Sequence, residues 1–130
     1  MAVISVDRTL EKFAQAKDPK KAIMDAVGDL SGCKVRADLV LVGIYIRPEK
    51  TAGGIIRPTD NLKEDQYQGK VGVVLKYGPD AHGTEPEIVT GDWVVFDVKD
   101  GWSFYYNQVP CRAIPYERIR MIVENPEAVL

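Results

Sequence analysis

The side chains able to do chemistry in this chain are few and widely spaced. Cys33 and Cys111 show no C-x-x-C spacing, and His82 is the single histidine. That leaves too few neighbouring ligands for a tetrahedral zinc site and no thiol–imidazole pair for nucleophilic catalysis. The two cysteines read as buried thiols of a protein kept in a reducing compartment. Asp60, Glu64 and Asp65 lack the alternation and the glycine of a calcium loop, so they read as a solvated loop face. His82 lies in the turn Gly78-Pro-Asp-Ala-His-Gly83 and is expected to be exposed. No spacing places a base beside a nucleophile, and the sequence predicts a protein that is not an enzyme and needs no cofactor or metal.

Two other constellations could bind rather than react. Trp93 and Trp102 with Phe104, Tyr105 and Tyr106 resemble a base-stacking platform. A formal net charge of −2 supplies no basic groove to go with it, so core and subunit-interface packing is the expected role and no nucleic-acid partner is expected. The second constellation is Gly53, Gly54, Ile55, Ile56 and Arg57, inside a polar stretch from Arg47 to Gln68. Two isoleucines between Gly-Gly and Arg57-Pro58 would make a poor central strand. They have the character of anchors in a mobile loop, awaiting a partner's groove, because a structureless connection beyond about 15 residues in a compact domain is usually functional or disordered.

The elements that must hold such a loop follow from composition and period. The chain has 130 residues, 45% hydrophobic and 28% charged, which suits one soluble globular domain with a modest core. No apolar run approaches the roughly 18 residues of a membrane span, and Met1-Ala-Val-Ile-Ser-Val-Asp7 lacks the n-region and h-region of a signal peptide. A cytoplasmic protein is expected.

Residues 7–31 read as helical in two pieces. Leu10, Phe13 and Ala14 share one face, and Asp18-Pro19 then supplies an N-cap followed by a proline suited to the first helical position. Ala22, Ile23, Ala26, Val27 and Leu30 continue an apolar stripe as far as Ser31-Gly32. From Lys34 the period becomes two. Strands are expected at 39–46, 70–76, 92–98, 102–106 and 118–123, with Lys99-Asp100-Gly101 as a tight hairpin turn. The run from Leu39 to Ile46 is apolar on both faces, so its outer face must also be covered, by a helix or another subunit. The division expected is a helical extension over 1–31 and a β domain over 32–130 with a mobile loop at 47–68.

Four segments, in order, resemble the GroES-type co-chaperonins, the ten-kilodalton chaperonin family. They are Asp38-Leu-Val-Leu-Val42, Thr51-Ala-Gly-Gly-Ile-Ile56, Gly69-Lys-Val-Gly-Val-Val-Leu-Lys-Tyr-Gly78 and Thr90-Gly-Asp-Trp-Val-Val-Phe96. The stretch 114–123 is similar to the family's close. This resemblance implies a mainly β fold, a small antiparallel GroES-like β-barrel behind a short N-terminal helical extension. It also implies a homo-oligomer, a heptameric ring that binds a chaperonin through its mobile loops and assists protein folding. Three features differ from the family pattern: Arg57 stands at the third apolar position of the loop, the connection from Gly78 to Gly91 is shorter than the family's roof hairpin, and the first thirty residues have no counterpart. Trp102 and Val109-Pro-Cys-Arg112 are similar to phage-borne relatives, which implies a phage or prophage variant in the host cytoplasm. The alternative reading is a capsid decoration protein on the same barrel, binding the phage major capsid protein and stabilising the head within the virion.

Overall fold

The computed structural model describes residues 18–46 and 70–129. At its start, the Asp18 carboxylate accepts from the Lys21 N–H at 3.1 Å and Pro19 occupies the first turn, so helix α1 (Pro19–Val27) begins where its cap dictates. The helix closes at Gly28, whose N–H donates to the Met24 carbonyl at 3.2 Å. It therefore ends before the Ser31-Gly32 break. The expected helical piece ahead of Asp18 lies outside the described residues.

Six strands follow: β1 (Leu39–Ile44), β2 (Val71–Tyr77), β3 (Trp93–Val95), β4 (Trp102–Tyr106), β5 (Val109–Pro115) and β6 (Met121–Val123). They form one sheet in the order β4-β5-β1-β2-β3-β6, every pairing antiparallel. Among the described residues the fold is mainly β with one short helix, and its mainly β character is what the residue pattern predicts. The ladder ends at β4 on one side and β6 on the other among the described residues.

Register sorts the core into two faces. Val40, Val42 and Ile44 share one face with Val74, Val94 and Ile114, all fully buried beside Phe96. On the other face a single row crosses the whole sheet: Phe104, Cys111, Gly43, Val73, Trp93 and Val123 are successive partners. Helix α1 lies over the middle of this row. The Cγ2 of Ile23 occupies the space a Cβ on Gly43 would need, with Leu75 and Val73 close by. Ile23 and Val27 are buried in the same cluster as the strand residues. The outer face of β1 is thus covered by the chain's own helix.

The expected hairpin at Lys99-Asp100-Gly101 does not form between neighbours. β3 already has β2 on one side and β6 on the other, so it has no free edge for β4. The chain instead crosses to the far end of the sheet, and the hairpin partner of β4 is β5, a strand the residue pattern does not single out. Asn107 and Gln108 join them with φ of 50° and 66°, the left-handed pair that a two-residue hairpin turn requires. Gly101 (φ 80°) is pressed against Ala113, where an added Cβ would lie 2.5 Å from the carbonyl oxygen. Residues 116–118 form a 3-10 turn and not the start of β6.

The seat of the helix is testable. Ile23→Ala should lower stability by about 2–5 kcal/mol, and Gly43→Ala by about 1–3 kcal/mol because it drives the helix off the sheet. In denaturant unfolding the double variant should lose clearly less than the sum, since the shortened side chain makes room for the new methyl. Strict additivity would show that the two residues do not touch.

Candidate partner-binding site

The segment carrying Gly53, Gly54, Ile55, Ile56 and Arg57 lies outside the described residues, as do Asp60, Glu64 and Asp65. The structure shows the frame it leaves and re-enters. β1 and β2 are adjacent antiparallel strands with Ile44 opposite Gly72. Beyond the last ladder pair the Tyr45 N–H still donates to the Val71 carbonyl at 2.9 Å, and the Phe96 N–H donates to the Lys70 carbonyl at 2.8 Å. Tyr45 and Ile46 are buried, and the Tyr45 ring meets Trp93 edge-on with centroids 5.5 Å apart. Residues 47–69 are therefore joined to the fold at two neighbouring, hydrogen-bonded roots.

The frame is stiffened from behind by Arg112, which the sequence gives no reason to expect in a core. It is 3% exposed. Its Nη1 donates to the carbonyls of Val98 (3.0 Å) and Asp100 (3.4 Å), its Nε donates to Ser103 Oγ (3.2 Å), and its guanidinium lies 5.6 Å from the centre of the Phe96 ring. Burial lowers its pKa and the neighbouring Asp100 opposes that shift. The turn it clasps begins at Asp97, whose carboxylate accepts the Lys99 N–H at 3.0 Å, and that bond holds the Asp97 pKa below its usual value. Arg112 thus ties the crossover between β3 and β4 to the sheet.

On the opposite side, side chains of the sheet hold the N-terminal segment. Lys76 Nζ donates to the Leu30 carbonyl at 2.8 Å and to that of Cys33, and Asn107 Nδ2 donates to the Val27 carbonyl at 2.7 Å. Val27 lies in the last turn of the helix, and the Leu30 carbonyl also accepts the Cys33 N–H at 3.0 Å, so Lys76 braces the turn that follows.

The remaining candidates are dispersed. Trp93 is buried, whereas Trp102 is 68% exposed on the edge strand β4 and leans on Phe104; the aromatic group is not one platform. His82 is exposed. Cys111 is buried but Cys33 only half so, and both are free thiols. Among the described residues no three His, Cys, Asp or Glu side chains are grouped to hold a metal ion, and no helix is long and apolar enough to cross a membrane.

A comparison with protein families matches residues 33–123 to the family described as the chaperonin 10 Kd subunit. The chain belongs to this family. The match begins just after the helix and ends with β6, so it takes in the whole described sheet, Arg112 and the residues on either side of 47–69. Membership gives a co-chaperonin-like role, in a family of ring-forming chaperonin partners and not of enzymes. Helix α1 lies ahead of the matched region.

The thiols report on the packing. Burial pushes the Cys111 thiol from 9.0 up to about 12, so in the fold it stays protonated while the unfolded thiol ionises. This contribution to stability is intact below pH 9 and is lost as pH rises towards 12. With Ellman's reagent at pH 8, one equivalent should react quickly, at Cys33, and the second only on unfolding. Two fast equivalents would contradict the seating of Cys111 beneath the helix.

Proposed function

We propose that the protein is a phage-type co-chaperonin that docks onto a chaperonin through the segment 47–68, with Ile55 and Ile56 as anchors, Gly53 and Gly54 giving the backbone freedom to enter a groove, and Arg57 tuning release. The observation that supports it most is the pair of hydrogen-bonded roots at Tyr45 and Lys70, within a sheet matched throughout to the chaperonin 10 Kd family. Such a frame presents a long connection without sharing in its ordering.

The proposed assembly is a heptamer acting in the host cytoplasm without a cofactor. Residues 1–31 form an extension and 32–130 the ring-building domain. Two isoleucines buried in a groove gain about 3–6 kcal/mol before the entropy of ordering the loop is subtracted. One loop alone binds weakly. Seven tethered to one ring act together, and the lid is strong yet reversible. Arg57 replaces a third apolar anchor, which weakens each contact and shortens the bound lifetime.

Dissociation of the wild type, Ile56→Asp and Arg57→Leu from a host chaperonin, with and without nucleotide, tests the reading. Ile56→Asp forfeits about 1.5–3 kcal/mol per loop and should abolish binding while leaving the fold intact. Arg57→Leu should slow release. Failure of all three to bind, or binding untouched by Ile56→Asp, would sink the proposal and turn attention to the capsid-decoration reading, for which co-purification with virions is the matching assay.

A further inference from the structure

The two ends of the β2–β3 ladder are secured differently. At one end the Val74 N–H donates to the Asp92 carbonyl at 2.8 Å, and the turn there closes on itself, the Asp92 carboxylate accepting the Val89 N–H at 2.9 Å. At the other end the Phe96 N–H donates to the Lys70 carbonyl at 2.8 Å. That bond is the last before the chain leaves the sheet for β4, and Lys70 directly follows residues 47–69. A terminal bond of this kind opens readily unless one of its partners is held from elsewhere.

Arg112 is placed to supply that hold. It lies on β5 opposite Val42, and β5 is not a neighbour of β3 in the sheet. Its side chain therefore links segments that no ladder joins. Nη1 reaches the Val98 and Asp100 carbonyls at 3.0 and 3.4 Å, and the guanidinium stands 5.6 Å from the centre of the Phe96 ring, so residues 96, 98 and 100 are all met by one side chain. Phe96 is 1% exposed. Fixing its ring also fixes the N–H that binds Lys70.

We propose that Arg112 is a positioning residue for docking: acting through Phe96, it keeps the Lys70 root in place, so that the docking segment meets its chaperonin from a fixed end. The role rests on docking through residues 47–68, as proposed above. A fixed end leaves less entropy to be lost when a loop orders on its partner, and the small gain per loop is compounded over every loop of a ring. Lysine is a poor substitute, because one ammonium on a flexible stem replaces a planar fork that meets two carbonyls and a ring face together.

Hydrogen exchange of the full chain, and its affinity for a host chaperonin, test this in Arg112→Lys, Phe96→Leu and Ile23→Ala. Arg112→Lys should speed exchange of the Phe96 amide about ten-fold beyond any change at Val74, which reports global stability, and should weaken chaperonin binding about ten-fold. Phe96→Leu keeps the amide and removes the ring. It should repeat both effects, and it decides the matter if Arg112→Lys does not fold. Ile23→Ala costs stability elsewhere, so it should speed the amides of residues 74 and 96 alike and leave chaperonin affinity unchanged. Exchange at residue 96 that only keeps step with Val74, or binding by Arg112→Lys as tight as by Ile23→Ala, overturns the proposal. A wild type that binds no chaperonin removes the docking reading itself and the docking role of Arg112 with it, while the exchange comparison separately decides the hold on Lys70.

Discussion

β1 is buried on both faces, and the rest of the structure follows from that. An antiparallel strand in a small sheet ordinarily turns one face to water. Here Val40, Val42 and Ile44 fill one side while Leu41, Gly43 and Tyr45 face the other. A helix can approach the second side closely only if a residue in the middle has no side chain. Gly43 meets that need, and Ile23 occupies the space. The contact fixes where α1 crosses, which carbonyls Asn107 and Lys76 can reach, and why Cys111, next to Gly43 in the same row, is sealed from solvent.

The central position of β1 also sets how the fold holds the two ends that flank residues 47–69. Because β1 is flanked by β2 and β5, both of its edges are hydrogen-bonded and it cannot slip register without exposing one of its two apolar faces. The roots of residues 47–69 inherit that rigidity through Tyr45, Lys70 and Phe96. Arg112 extends the frame to the far edge by binding two turn carbonyls that the sheet leaves unpaired. A charge in such a place is tolerated because its donors are met by carbonyls, a hydroxyl and an aromatic face.

Much of this was legible in the residues and some was not, for physical reasons. The start of α1 was readable at Asp18-Pro19, since a cap is a local device. The need to cover β1 was readable from an unbroken apolar run, which left the coverer open between a helix and another subunit; the chain's own helix covers it. The Asp100-Gly101 turn was misleading because turn chemistry says that a chain reverses, whereas the partner of the returning strand depends on which edges are free. β5 escaped notice because Pro110, Arg112 and Pro115 are poor strand residues by propensity. It is a strand because Asn107-Gln108 folds it back on β4 and β1 offers an edge. The burial of Arg112 depends on carbonyls brought together by the fold, which no spacing announces. As for the site, the anchors are a reading of residue type alone, while the fold supplies their two roots.

These strands tie the family's matched region to a helix that lies ahead of it, so the co-chaperonin-like fold in this chain includes a covering element of its own. The described residues that flank the proposed docking segment, Tyr45 and Lys70, are hydrogen-bonded to neighbouring strands. Sedimentation velocity of the wild-type protein mixed with a host chaperonin addresses the claim most directly. The account predicts a ring of several chains on its own and a faster-sedimenting complex with the chaperonin that forms only when nucleotide is present. A protein that sediments as a monomer and never moves with the chaperonin, with or without nucleotide, would contradict it.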